Sequence, residues 1–253
     1  MLLKSLKNTL VLSVIFLTAC ATTGEKADAQ KMSSIKKIGV ISMIGDQIHR
    51  RYIGITVFNN EADSRDISAW NINEEYEKQI QGELAKIGQY EVVGESRFRK
   101  DFNDVYTING PYDAPAFRFP NWDAIQPKLM AFAAENSVDA FIVVVGSPTN
   151  EVGGLGLFGQ NRNAPTIYLA AHVALIDGKS GKLISEKILA TDQDVFAGFS
   201  NKTTPKFDIT RELILTKLDE VDDKTFDEFH LDAIVLPKNA WGPTLRALLG
   251  VDK

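Results

Sequence analysis

Short β-branched runs alternate along this chain with stretches of helical periodicity. KKIGVISMIG, residues 36–45, is apolar on both faces and closed by glycine, the pattern of a buried strand. YIGITVFNN, residues 52–60, predicts a second extended segment closed by Asn59 and Asn60. Asp66 to Trp70 is expected to pair back on it across a polar turn at 62–65. Asn73 reads as a helix cap, followed by Glu74, Glu75 and Glu77 where the helix dipole favours anions. Tyr76, Ile80, Leu84 and Ile87 then recur at helical spacing, and Gly88 ends the helix. YEVVGE, 90–95, predicts a short strand.

Residues 97–121 are irregular, aromatic and marked by prolines, which predicts a long loop suited to covering a ligand. Trp122, Ile125, Leu129, Phe132 and Ala133 line one face of the next helix, with Pro127 near its first turn. VDAFIVVVG, 138–146, has no polar face and predicts a central strand covered on both sides. A glycine-rich loop is expected at 153–159, with Leu155, Leu157 and Phe158 near its tip, either folded back on the sheet or offered to a partner. Residues 166–189 read as two strands joined by the turn Asp177 to Lys182. Ile209, Leu213 and Leu218 predict a helix capped by Asp208; Trp241, Leu245, Leu248 and Leu249 predict a last one. The order implies an α/β fold with a mixed sheet, parallel in its first half and antiparallel at the hairpin.

The amino terminus changes the picture. Lys4 and Lys7 form a basic head, and Leu10 to Ala19 is an apolar or small run of ten residues, too short to span a bilayer but right for a secretion leader. It ends Leu17-Thr18-Ala19-Cys20, and Cys20 is the single cysteine among 253 residues. This end resembles the lipobox of bacterial lipoproteins. The resemblance implies cleavage between Ala19 and Cys20, a thioether lipid on Cys20 and acylation of the new amino terminus. Ala21 follows, not Asp; in enteric bacteria that resembles lipoproteins forwarded to the outer membrane, although another lineage can sort by another rule. The expected organisation is a leader at 1–19, a polar tether at 20–34 and one domain at 35–253.

Charge narrows the partners. Lys plus Arg is 28 against 33 acidic residues, a net charge of −5, which becomes −7 once Lys4 and Lys7 leave with the leader. No basic run suits nucleic acid, and the balance repels it. A lone cysteine forms no internal disulfide, so an ordinary core must hold the domain.

Candidate chemistry is sparse. Gly154-x-Gly156-x-x-Gly159 has the spacing of a dinucleotide loop, but such a loop must open a helix, and here Pro165 and a β-branched run follow. Gly45-Asp46 after the first strand and Asp227-x-x-His230 near the end are similar to the SGNH hydrolases, yet Gln47 stands where their serine nucleophile would be. His49, His172 and His230 are isolated in sequence, with no metal-ligand spacing. His172 reads as a packed strand residue.

The order of KKIGVIS, the helix ending EKQIQGELAKIG, YEVVGES, NSVDAFIVVVGS and VALIDGKSGKLISEK is similar to the domain shared by CsgG, the TolB amino-terminal domain and the LpoB-type lipoprotein activators. It covers about residues 36 to 190. The resemblance implies an envelope domain that binds proteins and does no catalysis. It does not imply a pore, because residues 147–165 are too short and polar for membrane-crossing hairpins. The expected role is a periplasm-facing lipoprotein that scaffolds, adapts or regulates an envelope assembly, with no metal and no cofactor beyond the lipid on Cys20. Its expected partners are the membrane and an envelope protein or a second copy. A lipid-anchored hydrolase and a small-ligand binder are the alternatives.

Overall fold

The computed structural model describes residues 29–94, 122–146, 154–160, 166–190 and 217–251. An eight-stranded mixed sheet carries the fold. Its strands are β1 (Lys37–Met43), β2 (Gln47–Ile53), β3 (Glu61–Asp66), β4 (Glu91–Gly94), β5 (Ala140–Gly146), β6 (Gly154–Gln160), β7 (Thr166–Asp177) and β8 (Leu183–Ala190). The helices are α1 (Ala29–Ser34), α2 (Ile72–Ile87), α3 (Trp122–Asn136), α4 (Asp223–Val235) and α5 (Lys238–Leu249).

The sheet is built from long strand paths that break in the middle. β7 runs the whole height and pairs antiparallel with β5 through Ala171–Asp177 and with β6 through Thr166–Ala170. β1 and β2 form the next path, β1 parallel to β5 and β2 parallel to β6. β4 closes the lower half beside β1, β3 closes the upper half beside β2, and β8 lies on the other edge of β7. The two breaks meet: a Cβ on Gly154 would stand 3.0 Å from the carbonyl oxygen of Ile44. Gly154 also takes φ 81°, a left-handed conformation that costs glycine least.

Two crossovers set the layers. β1 reaches β4 through α2, and β4 returns past β1 to β5, with α3 between them. The directions are opposite, so the right-handed rule places α2 and α3 on opposite faces. On the first face Tyr76, Ile80 and Leu84 of α2, Phe226 and Phe229 of α4, and Trp241, Leu245 and Leu248 of α5 pack on Val40, Ile142, Leu155, Leu157 and Leu169. On the second face Ile125, Leu129 and Phe132 of α3 cover Ile41, Phe141, Val143 and Ile176.

Several expectations shift. Residues 62–65 are not a turn; they belong to β3, and the connection lies at 54–60. β3 is an exposed edge strand whose polar letters hide its pairing. The stretch 153–159 is not a loop: Gly154 to Gln160 is β6, and it leads on to another strand. Asn73 is no cap. The helix starts at Ile72 with left-handed Asn71 before it, and Asn73 and Glu77 turn inward. β4 accompanies β1 only as far as Val40. Beyond it, Ser42 N–H donates to Glu77 Oε1 (2.9 Å), and Ile44 N–H (2.8 Å) and Ser42 Oγ (3.1 Å) donate to Asn73 Oδ1. These side chains act as a missing strand.

Within the stretch expected as a tether, residues 29–34 form α1. α1 belongs to the domain: Met32 packs on the core, Ile35 is buried, and Lys31 pairs with Asp177 at 3.4 Å. The helix α4 had no counterpart in the sequence pattern. Gly88 ends α2 in a left-handed cap as expected, and the 166–189 hairpin and α5 stand where the pattern put them. Cys20, the loop 97–121, Ile209 and Leu213 lie outside the described residues.

Candidate functional site

Polar groups collect on the second face of the upper half, beyond the reach of α3. The pleat sends Ile48 and Tyr52 of β2 into the first-face core, so His49 and Arg51 face the other way. Register then lines up Ser64 of β3, His49 of β2, Gly156 of β6 and Tyr168 of β7 in one row across the sheet. His49 Nδ1 and Ser64 Oγ are 2.8 Å apart. The Tyr168 ring lies over Gly156: a Cβ there would stand 2.0 Å from the phenol oxygen. This explains the second glycine of the repeated spacing, as the floor on which an aromatic ring rests.

Burial shapes the electrostatics. It pushes the Tyr168 phenol above the ordinary tyrosine range, and the nearby Arg51 guanidinium offsets part of that rise. It also holds His49 below the ordinary histidine range, so the ring stays neutral at pH 7. Two rows further along the same face of β7, His172 is 3% exposed and its Nδ1 lies 2.6 Å from Glu186 Oε1 of β8. That agrees with its reading as a packed residue.

The row holds a serine beside a histidine. Ser64 is exposed on an edge strand, and among the described residues no carboxylate is hydrogen-bonded to the His49 ring to orient it as a general base. Among the described residues no group of three or more His, Cys, Asp or Glu could hold a metal ion.

The remaining candidates are dispersed. Gln47 turns to the second face, where its Nε2 is 3.4 Å from Asp66. His230 rides on α4 on the first face, stacked on Trp70 with ring centroids 4.9 Å apart. Among the described residues its buried Nε2 has no hydrogen-bond partner. The sheet separates Gln47 from His230, so the residues that suggested an SGNH hydrolase form no cluster. Leu155 and Leu157 are fully buried in the first-face core, the folded-back alternative, and Phe158 is half-buried on the second face. The Ser64–His49 contact was hidden in the sequence because β3 has no hydrophobic alternation. Glycines two apart, each opposite a strand neighbour, were the signal for the Tyr168 platform.

No protein-family profile matches the chain, and no curated protein does. Some solved structures are similar in coarse outline. Lipoprotein GNA1162 from Neisseria meningitidis is 12% identical with a TM-score of 0.33, covering 62% of this chain and 81% of that one. The LpoB carboxy-terminal domain from Salmonella enterica is 14% identical with a TM-score of 0.27, covering 71% and 92%. Its counterpart from Escherichia coli is 13% identical with a TM-score of 0.28, covering 62% and 83%. Likeness this slight transfers no function.

Proposed function

We propose that this chain is a lipid-anchored lipoprotein of the bacterial outer membrane, facing the periplasm, whose α/β domain is a non-catalytic scaffold, adaptor or regulator of an envelope assembly. One observation carries the reading: a basic head and a ten-residue apolar core end at Leu17-Thr18-Ala19-Cys20, on the only cysteine of the chain. Several acyl chains at about 0.8 kcal/mol per buried methylene make such an anchor effectively permanent. The domain supports the reading through the state of its polar groups. His172 is tied to Glu186, His49 to Ser64, and the Gln47 and His230 pair is split across the sheet.

The test is crosslinking in intact cells with the full-length chain and its Cys20→Ala variant. A discrete adduct with one envelope protein, or with a second copy, that is lost in the variant supports an anchored adaptor. A monomer that forms no adduct, together with hydrolytic turnover by the purified protein, contradicts it.

A further inference from the structure

The connection between β2 and β3 exposes apolar side chains that a surface loop usually lacks. Ile55 is 79% exposed and Phe58 95% exposed, more than any other large apolar side chain among the described residues. Thr56, Asn59 and Asn60 of the same loop are exposed too, but they bond within the loop. Gly54 N–H donates to Asn60 Oδ1 at 3.1 Å, Thr56 Oγ1 donates to Asn59 Oδ1 at 2.5 Å, and Asn59 N–H donates to the Thr56 carbonyl at 3.0 Å. Gly54 is needed for the tight return, since a Cβ there would meet Asn59 at 2.4 Å. No charged residue occurs from Gly54 to Asn60. Two large apolar side chains outward on an uncharged tip, with backbone and side-chain groups bonded inside the loop, lower the cost of meeting an apolar medium, where unpaired polar groups cost most.

Area decides between a protein and a lipid occupant. Two side chains bury a few hundred Å² at most, against about 1,200 Å² for a stable protein interface. A bilayer asks for no matching shape. Position decides which bilayer. Register puts Arg51 level with Thr166 at one end of β7, while Lys31 of α1 docks on Asp177 at the other. The tip therefore stands about 36 Å along the sheet from the place where the tether enters. Residues 21–28 reach at most about 30 Å, so a domain lying along the membrane brings the tip to the surface that holds Cys20. A second contact with a surface already engaged is intramolecular, and a weak one suffices.

We propose that the 54–60 tip is a second membrane contact, with Ile55 and Phe58 inserted into the bilayer that holds the lipid of Cys20, so that the domain lies along the membrane. This rests on the lipid-anchor reading. The acidic chain favours a zwitterionic lipid surface over an anionic one.

The test uses full-length lipidated protein carrying Ile55→Cys, labelled with a polarity-sensitive dye and reconstituted in phosphatidylethanolamine and phosphatidylcholine vesicles. Lipidation consumes the Cys20 thiol, so the label count, read by mass, reports the anchor separately. One label per chain, a blue-shifted emission and quenching by brominated lipid are expected. Phe58→Asp should reduce that quenching about tenfold or more without lowering the melting temperature, and a label at Glu135→Cys in α3 should stay aqueous. One label with an aqueous tip overturns the membrane contact and leaves the anchor standing. Two labels per chain overturn the anchor and this proposal with it. Shielding of the tip without vesicles, rising with protein concentration, assigns the tip to a second copy and overturns the lipid contact.

Discussion

At the residue scale, three sites make distinct demands. Gly156 carries the Tyr168 ring, and a methyl group there would overlap it at 2.0 Å. Gly156→Ala should cost about 1–3 kcal/mol in chemical denaturation, and most of that loss should disappear against a Tyr168→Ala background. Asn73 and Glu77 hold the amides of Ile44 and Ser42 beyond the end of β4. Replacing either by alanine strands a buried donor and should cost about 1–3 kcal/mol, with hydrogen exchange quickening at those amides. His49, held below the ordinary histidine range by burial, gives a pH signature. The unfolded chain binds its proton first as pH falls. Its contribution to stability is therefore full above the ordinary histidine value and is lost as pH drops through the lowered one. The melting temperature should fall on acidification through that window, and His49→Gln should flatten the fall. Legibility at this scale was uneven. Tyr76, Ile80 and Leu84 showed through periodicity, because burial of one helix face leaves that trace. Asn73 and Glu77 did not, because a polar residue at the head of a helix looks the same whether it caps the helix or completes a sheet.

At the element scale, the strands with apolar faces were readable and those without were not. β5 and the β7–β8 hairpin declare themselves by β-branched runs and the turn Asp177 to Lys182. β3 has one face and one edge in water, so its letters are those of a loop. β6 alternates glycine with leucine, so half of its pattern is missing. Its true period appears only when Leu155 and Leu157 are read as the buried set. α4 leaves little periodic trace, because its apolar residues, Phe226, Phe229 and Ala233, are spread among acidic ones. α5 shows the opposite case: Trp241 is fully buried, and its indole N–H donates to Gln79 of α2 at 3.0 Å. Trp241→Ala should cost about 3–5 kcal/mol, measured by denaturant unfolding. α1 offers a test of where the domain starts. Deleting residues 29–34 should lower the melting temperature, since it removes Met32 from the core and the Lys31–Asp177 pair.

For the whole molecule, the fold arranges its ends. α1, the first described element, lies beside Asp177 and the base of β1, and the apolar tip stands at the far end of the same strand path. A chain anchored at Cys20 and held at the tip as proposed would present a face of its sheet, rather than a tip, to the periplasm. The second-face row of His49, Gly156 and Tyr168 and the edge strand β3 are the surfaces such a posture would orient. All of this depends on the lipid. The most direct measurement is the intact mass of the amino-terminal peptide of the protein taken from its own envelope fraction. The account predicts a chain that begins at Cys20, with a diacylglyceryl thioether on its sulfur and an acyl group on its amine. A chain that retains residues 1–19, or one with a free thiol at Cys20, would contradict it.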